Sequence, residues 1–355
     1  NLRKKNDFAT LQDQIEVKKI FEIFSLDNNF AEIRFVGGCV RQILNNEKTE
    51  DIDLAVNIKP SEVQKILEDN KIKYYNTGLQ HGTITALVEK KSFEITSLRK
   101  DIITDGRHAV VEYTDDWYED SARRDFTINS IYADKYGNLY DPHDGNKDLI
   151  KGKINFIGDA NQRIREDYLR IMRYVRFFIN YSLNYHDEKI KKIIIKNLEG
   201  VKNISKDRLL DELKKLFLSK KFFNIVDDRF SQEIIKLIFP EIKNLYMLNK
   251  LNDHALEILS KKDFIFLLSF LIIDNTDNTD YFLYKYNISK EDRKRILFLN
   301  KNFRFFENQK FFNKVNLTKI LYKNGNKLLM DLINLKICHS QKASKHILEI
   351  KEKFL

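Results

Sequence analysis

The 355-residue chain carries 62 Lys and Arg against 52 Asp and Glu, a net charge of +10, with two cysteines. That length exceeds one ordinary hydrophobic core, so two or more domains are expected. No run of about 18 apolar residues occurs, which argues against a membrane-spanning helix. No signal-peptide pattern opens the sequence, so a soluble, intracellular, cytoplasmic protein is expected. The first residue is Asn1 rather than Met, so a short preceding piece is expected. Cys39 and Cys338 lie far apart without CxxC or histidine partner spacing, which disfavours a disulfide framework or a zinc site.

Charge and glycine divide the chain. Residues 1–200 hold 32 basic and 33 acidic side chains, whereas residues 201–355 hold 30 and 19, and Gly325 is the only glycine beyond Gly200. A near-neutral, glycine-bearing front and a basic, nearly glycine-free back imply an α/β part followed by a helical part that faces a polyanion. A lysine-rich solvated surface accounts for the same excess equally well.

In chain order, Thr10 and Asp13 suggest a helix start, with Leu11, Ile15, Phe21 and Phe24 forming an apolar stripe. Ile33, Phe35 and Val36 read as a short strand that breaks at Gly37-Gly38, and Cys39–Leu44 reads as a helix. Two glycines before a helix let backbone N–H groups approach a phosphate at the positive helix end. Alternation over Asp51-Ile52-Asp53-Leu54 predicts a second strand, with Ile52 and Leu54 inward and Asp51 and Asp53 side by side. Two carboxylates that close repel each other, and a divalent cation between them relieves the repulsion. Taken singly, the glycines are also what a tight turn looks like, and Asp-x-Asp what a solvated strand edge looks like. Pro60-Ser61-Glu62 opens a helix with Val63, Ile66 and Leu67 inward. Ile84–Glu89 and Phe93–Thr96 read as an antiparallel pair. Glu94 is a third carboxylate if its strand neighbours the Asp pair, and a solvent-facing strand residue otherwise.

Residues 99–119 are polar, with Asp101, Asp105, Arg107, His108, Asp115 and Asp116, a bend at Gly106 and the only tryptophan, Trp117. They read as a long mobile loop rather than core, with His108 on the surface. In Ser121–Asp134, Phe126, Ile128 and Ile131 anchor a segment carrying Arg123, Arg124 and Asp125. Tyr140–Gly145 is a turn cluster and a hinge candidate. Residues 163–177 read as part of one long helix on which Asp167, Arg170, Arg173 and Arg176 recur every three residues as a polar stripe. Such a stripe is often a salt-bridged solvent face, but an Arg beside an Asp also offers the donor and acceptor that a base edge requires. From about Lys189 onward the apolar spacing is helical, with breaks at Pro240 and Asp274–Asp280. Phe217, Phe222, Phe223, Phe264, Phe266, Phe270, Phe305 and Phe306 read as helix-packing core.

Four of these segments, GGCVR with DIDLA, SARRDFTIN, YDPHDG and EDYLR, together resemble the class II tRNA nucleotidyltransferase and bacterial poly(A) polymerase family. They do so in order over roughly residues 30–180. Gln42 stands where the family usually has Asp, and Asn46 stands near its usual loop glycine; Asn tolerates the left-handed backbone. The resemblance implies an α+β fold: a nucleotidyltransferase head with a mixed β-sheet over residues 1–150, an α-helical neck over 151–200, and an α-helical body and tail over 201–355. It implies addition of C, C and A from CTP and ATP to the tRNA 3′ end, by two-metal transfer that releases pyrophosphate. By the same resemblance Asp51 and Asp53, with Glu94, hold Mg²⁺. Gly37, Gly38, Arg41 and Arg124 clamp phosphates, and Asp125 and Asn129 hold the loop or reach the ribose. Asp167 and Arg170 read the base, supported by Arg173 and Arg176. An Asp that accepts an amino proton beside an Arg that donates suits cytosine and adenine and repels uracil and guanine. The expected partners are tRNA and the two nucleotides, with no membrane, as a monomer or homodimer. A poly(A) polymerase, a partial CC- or A-adding enzyme, and a catalytically dead tRNA-binding protein are the alternatives.

Overall fold

In a computed structural model the described residues are 8, 10–11, 13–26, 31–49, 51–104, 109–308, 310–340 and 342–354, with backbone alone at 101–104 and 109–111. The chain divides into two compact units, Asn1–Lys202 and Asn203–Leu355. The expected bend at Gly106, with Asp105, Arg107 and His108, lies outside the described residues.

In the first unit, helix α1 (Ile15–Leu26) precedes strand β1 (Ile33–Val36), α2 (Gly38–Leu44), β2 (Asp53–Val56), α3 (Pro60–Asp69), β3 (Lys73–Gly78), β4 (Thr83–Val88) and β5 (Lys91–Ser97). Then come β6 (Arg99–Thr104), β7 (Ala109–Tyr113), α4 (Trp117–Ala122), β8 (Tyr132–Ala133) and β9 (Leu139–Tyr140). Helices α5 (Gly145–Lys151), α6 (Ala160–Glu166), α7 (Leu169–Tyr181) and α8 (Glu188–Asn197) complete the unit. One seven-stranded mixed sheet runs β3-β4-β5-β2-β1-β8-β9. The β2–β5 pair is parallel and the other pairs are antiparallel. Alternation drives burial in these strands: Ile84, Ala86 and Val88 are buried on β4, and Phe93 and Ile95 on β5.

Several expectations need correction. Arg99–Thr104 and Ala109–Tyr113 pair as antiparallel strands, β6 with β7, rather than lying in an irregular loop, because they satisfy each other's backbone groups. Trp117 is core: it packs with Val36, Ala55, Leu98 and Tyr132, and its Nε1 donates to Glu32. Ile15 begins α1 but is exposed. Asp51 precedes β2 rather than belonging to it. Strand β3 carries no buried apolar alternation and so left no period-2 signal. The long helix over 163–177 is two helices, α6 and α7, broken at Asp167, whose backbone is extended. Asp167 Oδ1 accepts from Leu169 N (3.1 Å), which satisfies an opening N–H of α7. Arg170, Arg173 and Arg176 therefore share one helix and Asp167 stands before it.

The second unit is all helical: α9 (Lys206–Phe217), α10 (Arg229–Ile238), α11 (Asp253–Lys261), α12 (Phe264–Ile272), α13 (Asn278–Lys285), α14 (Lys290–Phe303), α15 (Lys314–Asn324), α16 (Asn326–Cys338) and α17 (Lys345–Phe354). The apolar run 255–273 is two helices because Asp263 caps α12, its carboxylate accepting from Phe266 N. The break at Asp274–Asp280 is shorter than expected, since α13 begins at Asn278. Phe217, Phe222, Phe264, Phe266, Phe270 and Phe306 are buried. Phe223 and Phe305 are half-buried. Cys39 and Cys338 are buried and free.

Candidate active site

The site grows from the turn between β1 and α2. Gly37 has φ 68°, a conformation that side-chain-bearing residues avoid, and it caps α2. Charged side chains line the turn without crowding it. A Cβ on Gly37 would lie 3.8 Å from Arg124 Nη1 and 4.0 Å from Asp53 Oδ2. One on Gly38 would lie 3.9 Å from both Arg41 Nη2 and Asp53 Oδ2. Two cations and one carboxylate thus border the turn without filling it. Asn46, at the position of the usual loop glycine, has φ 57°, the left-handed backbone that asparagine tolerates.

Asp53 heads β2 directly beside Glu94 of β5 in the parallel ladder. Ile52 and Leu54 are buried, as the alternation requires, while Asp51 is exposed. Burial, then the charge of Glu94 and more weakly that of Asp51, push the Asp53 carboxyl upward, against the guanidiniums of Arg124 and Arg41. Oxygen donors that repel one another suit a hard cation. Among the described residues no three His, Cys, Asp or Glu side chains are gathered closely enough to hold a metal ion by themselves. An ion held by the Asp pair therefore needs water or phosphate oxygens to complete its shell, as Mg²⁺ does in most sites.

The arginines are held partly by expected residues, Asn129 and Asp125, and partly by residues not expected from the sequence. Arg41 Nη1 donates to Asn129 Oδ1, its Nε is buried without a partner, and its guanidinium lies over Phe177 and Tyr181. Asn129 Nδ2 donates to Asp125 Oδ1 (3.0 Å), and Arg173 Nε donates to Asp125 Oδ2 (2.6 Å). Burial would raise the Asp125 carboxyl, but Arg173 and the hydrogen bonds of Asn129 and Phe126 N outweigh it and hold it at about 2. A continuous chain, Arg41–Asn129–Asp125–Arg173, therefore ties α2 to α7.

Arg124 is fixed by Asp120, which is only 1% exposed, and by Tyr132. Neither residue was among the expected site residues, although Asp120 stands three and four residues before Arg123 and Arg124, which follow the end of α4. Arg170 Nη1 donates to Glu166 Oε2 (2.8 Å) and to the Arg163 carbonyl (2.6 Å). Arg163 Nη1 shares the same Glu166 oxygen (2.7 Å), and Arg163 Nη2 donates to the carbonyls of Ala122 and Arg124. Arg176 lies 4.4 Å from the centre of the Phe177 ring. The structure thus brings Arg41, Asp53 and Arg124 to the Gly37-Gly38 turn, with Glu94 and Asp51 acting on Asp53, and Asp125, Asn129 and Arg173 linked to Arg41. Asp167 and Arg170 stand at the α6–α7 break.

A mixed sheet whose glycine turn faces paired carboxylates and arginines, continued by an all-helical region, defines a nucleotidyltransferase fold. Residues 33–155 match the family described as Poly A polymerase head domain, and residues 187–246 match a probable RNA and SrmB-binding site of polymerase A. The mitochondrial CCA tRNA nucleotidyltransferase 1 of Mus musculus is 38% identical over 291 residues, 81% of this chain and 66% of the relative. A CCA-adding enzyme of Lactobacillus delbrueckii subsp. bulgaricus is 39% identical over 191 residues, 53% of this chain and 47% of the relative. The chain thus spans just under two thirds of the mouse relative's length and about half of the bacterial one's. The Bacillus stearothermophilus CCA-adding enzyme in complex with CTP superposes with a TM-score of 0.72 at 20% identity. That match covers 96% of this chain and 82% of the other, and at that identity it speaks for the fold. The chain belongs to the tRNA nucleotidyltransferase and poly(A) polymerase family.

Proposed function

We propose that the protein is a CTP/ATP:tRNA nucleotidyltransferase that adds C, C and A to the tRNA 3′ end without a nucleic-acid template. The observation that carries this reading is Asp53, with the charges of Glu94 and Asp51 close by, at a glycine turn that Arg41 and Arg124 border. The names of the mouse and Lactobacillus relatives support tRNA as substrate and C and A as the added nucleotides. A divalent cation, Mg²⁺, held by Asp51 and Asp53 beside Glu94, would supply Lewis acidity at the primer 3′-hydroxyl and the triphosphate. Arg41 Nη2 and Arg124 Nη1 offer fixed, permanently charged donors to phosphate oxygens. Gly37 and Gly38 leave those oxygens room. Asp125 and Asn129 hold Arg173 and Arg41 in place, within reach of a ribose. Asp167 accepts an amino proton and Arg170 donates to the neighbouring acceptor, selecting cytosine and adenine, with Arg173 and Arg176 in support. Residues 1–150 act as head, 151–200 as base-reading neck and 201–355 as tRNA-binding body.

No helix among the described residues is long and apolar enough to cross a membrane. The cytoplasmic expectation stands beside the mitochondrial names of the mouse and human relatives. Imaging of the tagged protein in its own cell decides between the compartments. A monomer or homodimer is expected, and sedimentation reads which.

The activity test is incubation with Mg²⁺, each labelled nucleotide singly, and tRNAs ending at the discriminator base, at C or at CC. The reading expects C on the first two and A on the third. Runs of A on every primer would identify a poly(A) polymerase. Extension stopping at CC, or A added to CC ends alone, would identify a partial enzyme. Tight tRNA binding without extension would identify a binding protein.

A further inference from the structure

The Asp120 carboxylate lies between two parts of the head with separate tasks. Its Oδ2 accepts from Arg124 Nε (3.2 Å), Arg124 Nη2 (3.0 Å) and the Tyr132 hydroxyl (2.6 Å). Arg124 Nε also donates to the Tyr132 oxygen (3.0 Å). Two of the three guanidinium nitrogens are thereby committed to the protein, and Nη1 is the one that faces Gly37. A guanidinium gripped on one edge can turn only by breaking that grip, so the direction of Nη1 is set by Asp120 and Tyr132.

The other oxygen faces the hairpin. Asp120 Oδ1 accepts from the backbone N of Arg99 (3.3 Å), the first residue of β6, and from Arg123 Nε (2.9 Å) and Nη2 (2.7 Å). Arg123 Nε also donates to the Arg99 carbonyl (3.0 Å). Thus the root of the β6–β7 hairpin and the arginine over the glycine turn share one buried carboxylate. Burial by itself would raise that carboxyl, but the two guanidiniums and the Tyr132 hydroxyl hold it far below the usual carboxylate range. It is therefore ionised at every working pH.

We propose that Asp120 is a positioning residue that aims Arg124 at the nucleotide's β- and γ-phosphates and couples their binding to the root of the β6–β7 hairpin. This rests on the reading of the site as one that binds a nucleoside triphosphate. Asp120 touches no substrate and acts through Arg124. The neighbouring Trp117, stacked edge-on against Tyr132 with ring centres 5.2 Å apart, is the only tryptophan and reports on the same cluster.

The test measures binding of labelled CTP and CMP by equilibrium dialysis to wild type, Asp120→Asn and Tyr132→Phe, with hydrogen exchange of residues 99–113 followed in parallel. Loss of a charged hydrogen bond predicts CTP affinity about tenfold weaker in Asp120→Asn, with CMP affinity unchanged within about twofold. Tyr132→Phe shifts the same ratio by less, because the Asp120–Arg124 pair survives. CTP, unlike CMP, slows exchange at the hairpin root in wild type, and Asp120→Asn loses this protection. A second substitution, Arg124→Lys, added to Asp120→Asn brings no further full loss, since both act on one grip. Equal weakening of CTP and CMP would mark a merely structural role and overturn the proposal. So would an unchanged CTP:CMP ratio, or hairpin exchange indifferent to CTP in wild type. Should Asp120→Asn fail to fold, an unchanged ratio in Tyr132→Phe overturns it equally. Wild type that binds neither CTP nor ATP would instead overturn the proposed function.

Discussion

In the head, Asp53 lies among two carboxylates and two guanidiniums, its carboxyl is pushed upward, and Arg41 Nε is buried with no partner. In the body, Asp331 is more deeply buried, but Lys262 Nζ (2.8 Å) takes one of its oxygens and Arg295 Nε (2.7 Å) the other. Arg295 reaches on to Asp263 through Nη1 (2.7 Å). Both units bury charge, but Asp331 has a cation on each oxygen, whereas Asp53 sits beside carboxylates that repel it. A satisfied buried pair locks helices together, whereas unreconciled charge beside open space is stabilised only by something that binds there.

Four experiments break or sharpen this contrast. The largest effect is expected at the unreconciled carboxylates: Asp51→Ala or Asp53→Ala should lower C and A addition at least about a thousandfold while tRNA affinity changes little. Near-normal turnover in either variant would remove the metal-binding role. In the body the corresponding change acts on folding. Asp331→Ala strands Lys262 and leaves Arg295 with Asp263 alone, and should cost about 3–5 kcal/mol of that unit's stability, read by denaturant unfolding. Loss of CTP binding to the still-folded variant would contradict the division of labour.

Selectivity should move less. Asp167→Ala removes the amino acceptor and the repulsion of uracil, shifting C-over-U incorporation by about one to two powers of ten, or about 1–3 kcal/mol. Asp167 also caps α7, so a thermal melt is the control. A lower melting temperature with an unchanged C-over-U ratio would reduce Asp167 to its capping role.

The smallest effect separates the units by pH. His339 is only partly screened as a residue, but its Nε2 is sealed among apolar neighbours without a partner, and burial holds the ring's pKa at about 3. Its contribution is complete above the ordinary value of about 6.5 and is lost as pH falls below it, because the unfolded chain takes a proton that the folded body refuses. Asp125, depressed to about 2, stabilises the head fully above about pH 4 and loses that contribution only as pH falls towards 2. Going from pH 7 to pH 5 should therefore weaken the body by about 1–2 kcal/mol and spare the Asp125 pairing of the head. Hydrogen exchange at both pH values checks this, and His339→Leu should abolish the body's response.

Local chemistry was legible in the sequence because local patterns carry it. Gly37-Gly38 marked a turn that needs a left-handed backbone, Ile52 and Leu54 set which way the Asp pair faces, and helical spacing past residue 200 announced an all-α unit. Contacts between distant segments left no such pattern. That Glu94 falls opposite Asp53 depends on β2 and β5 pairing in parallel, 41 positions apart. The break at Asp167 overrode an unbroken helical period because one carboxylate can cap the next helix. Trp117 looked like loop because its neighbours in sequence are polar, whereas its neighbours in space are Val36, Leu98 and Tyr132. Asp120 was one acidic residue among many until folding buried it between two arginines and the hairpin root. Sequence alone determined which residues could carry the chemistry, since residue type and short-range spacing suffice for that. Which of them meet, and which are already paired before any ligand arrives, was decided by tertiary structure, because burial and long-range register determine what a charge must be paired with.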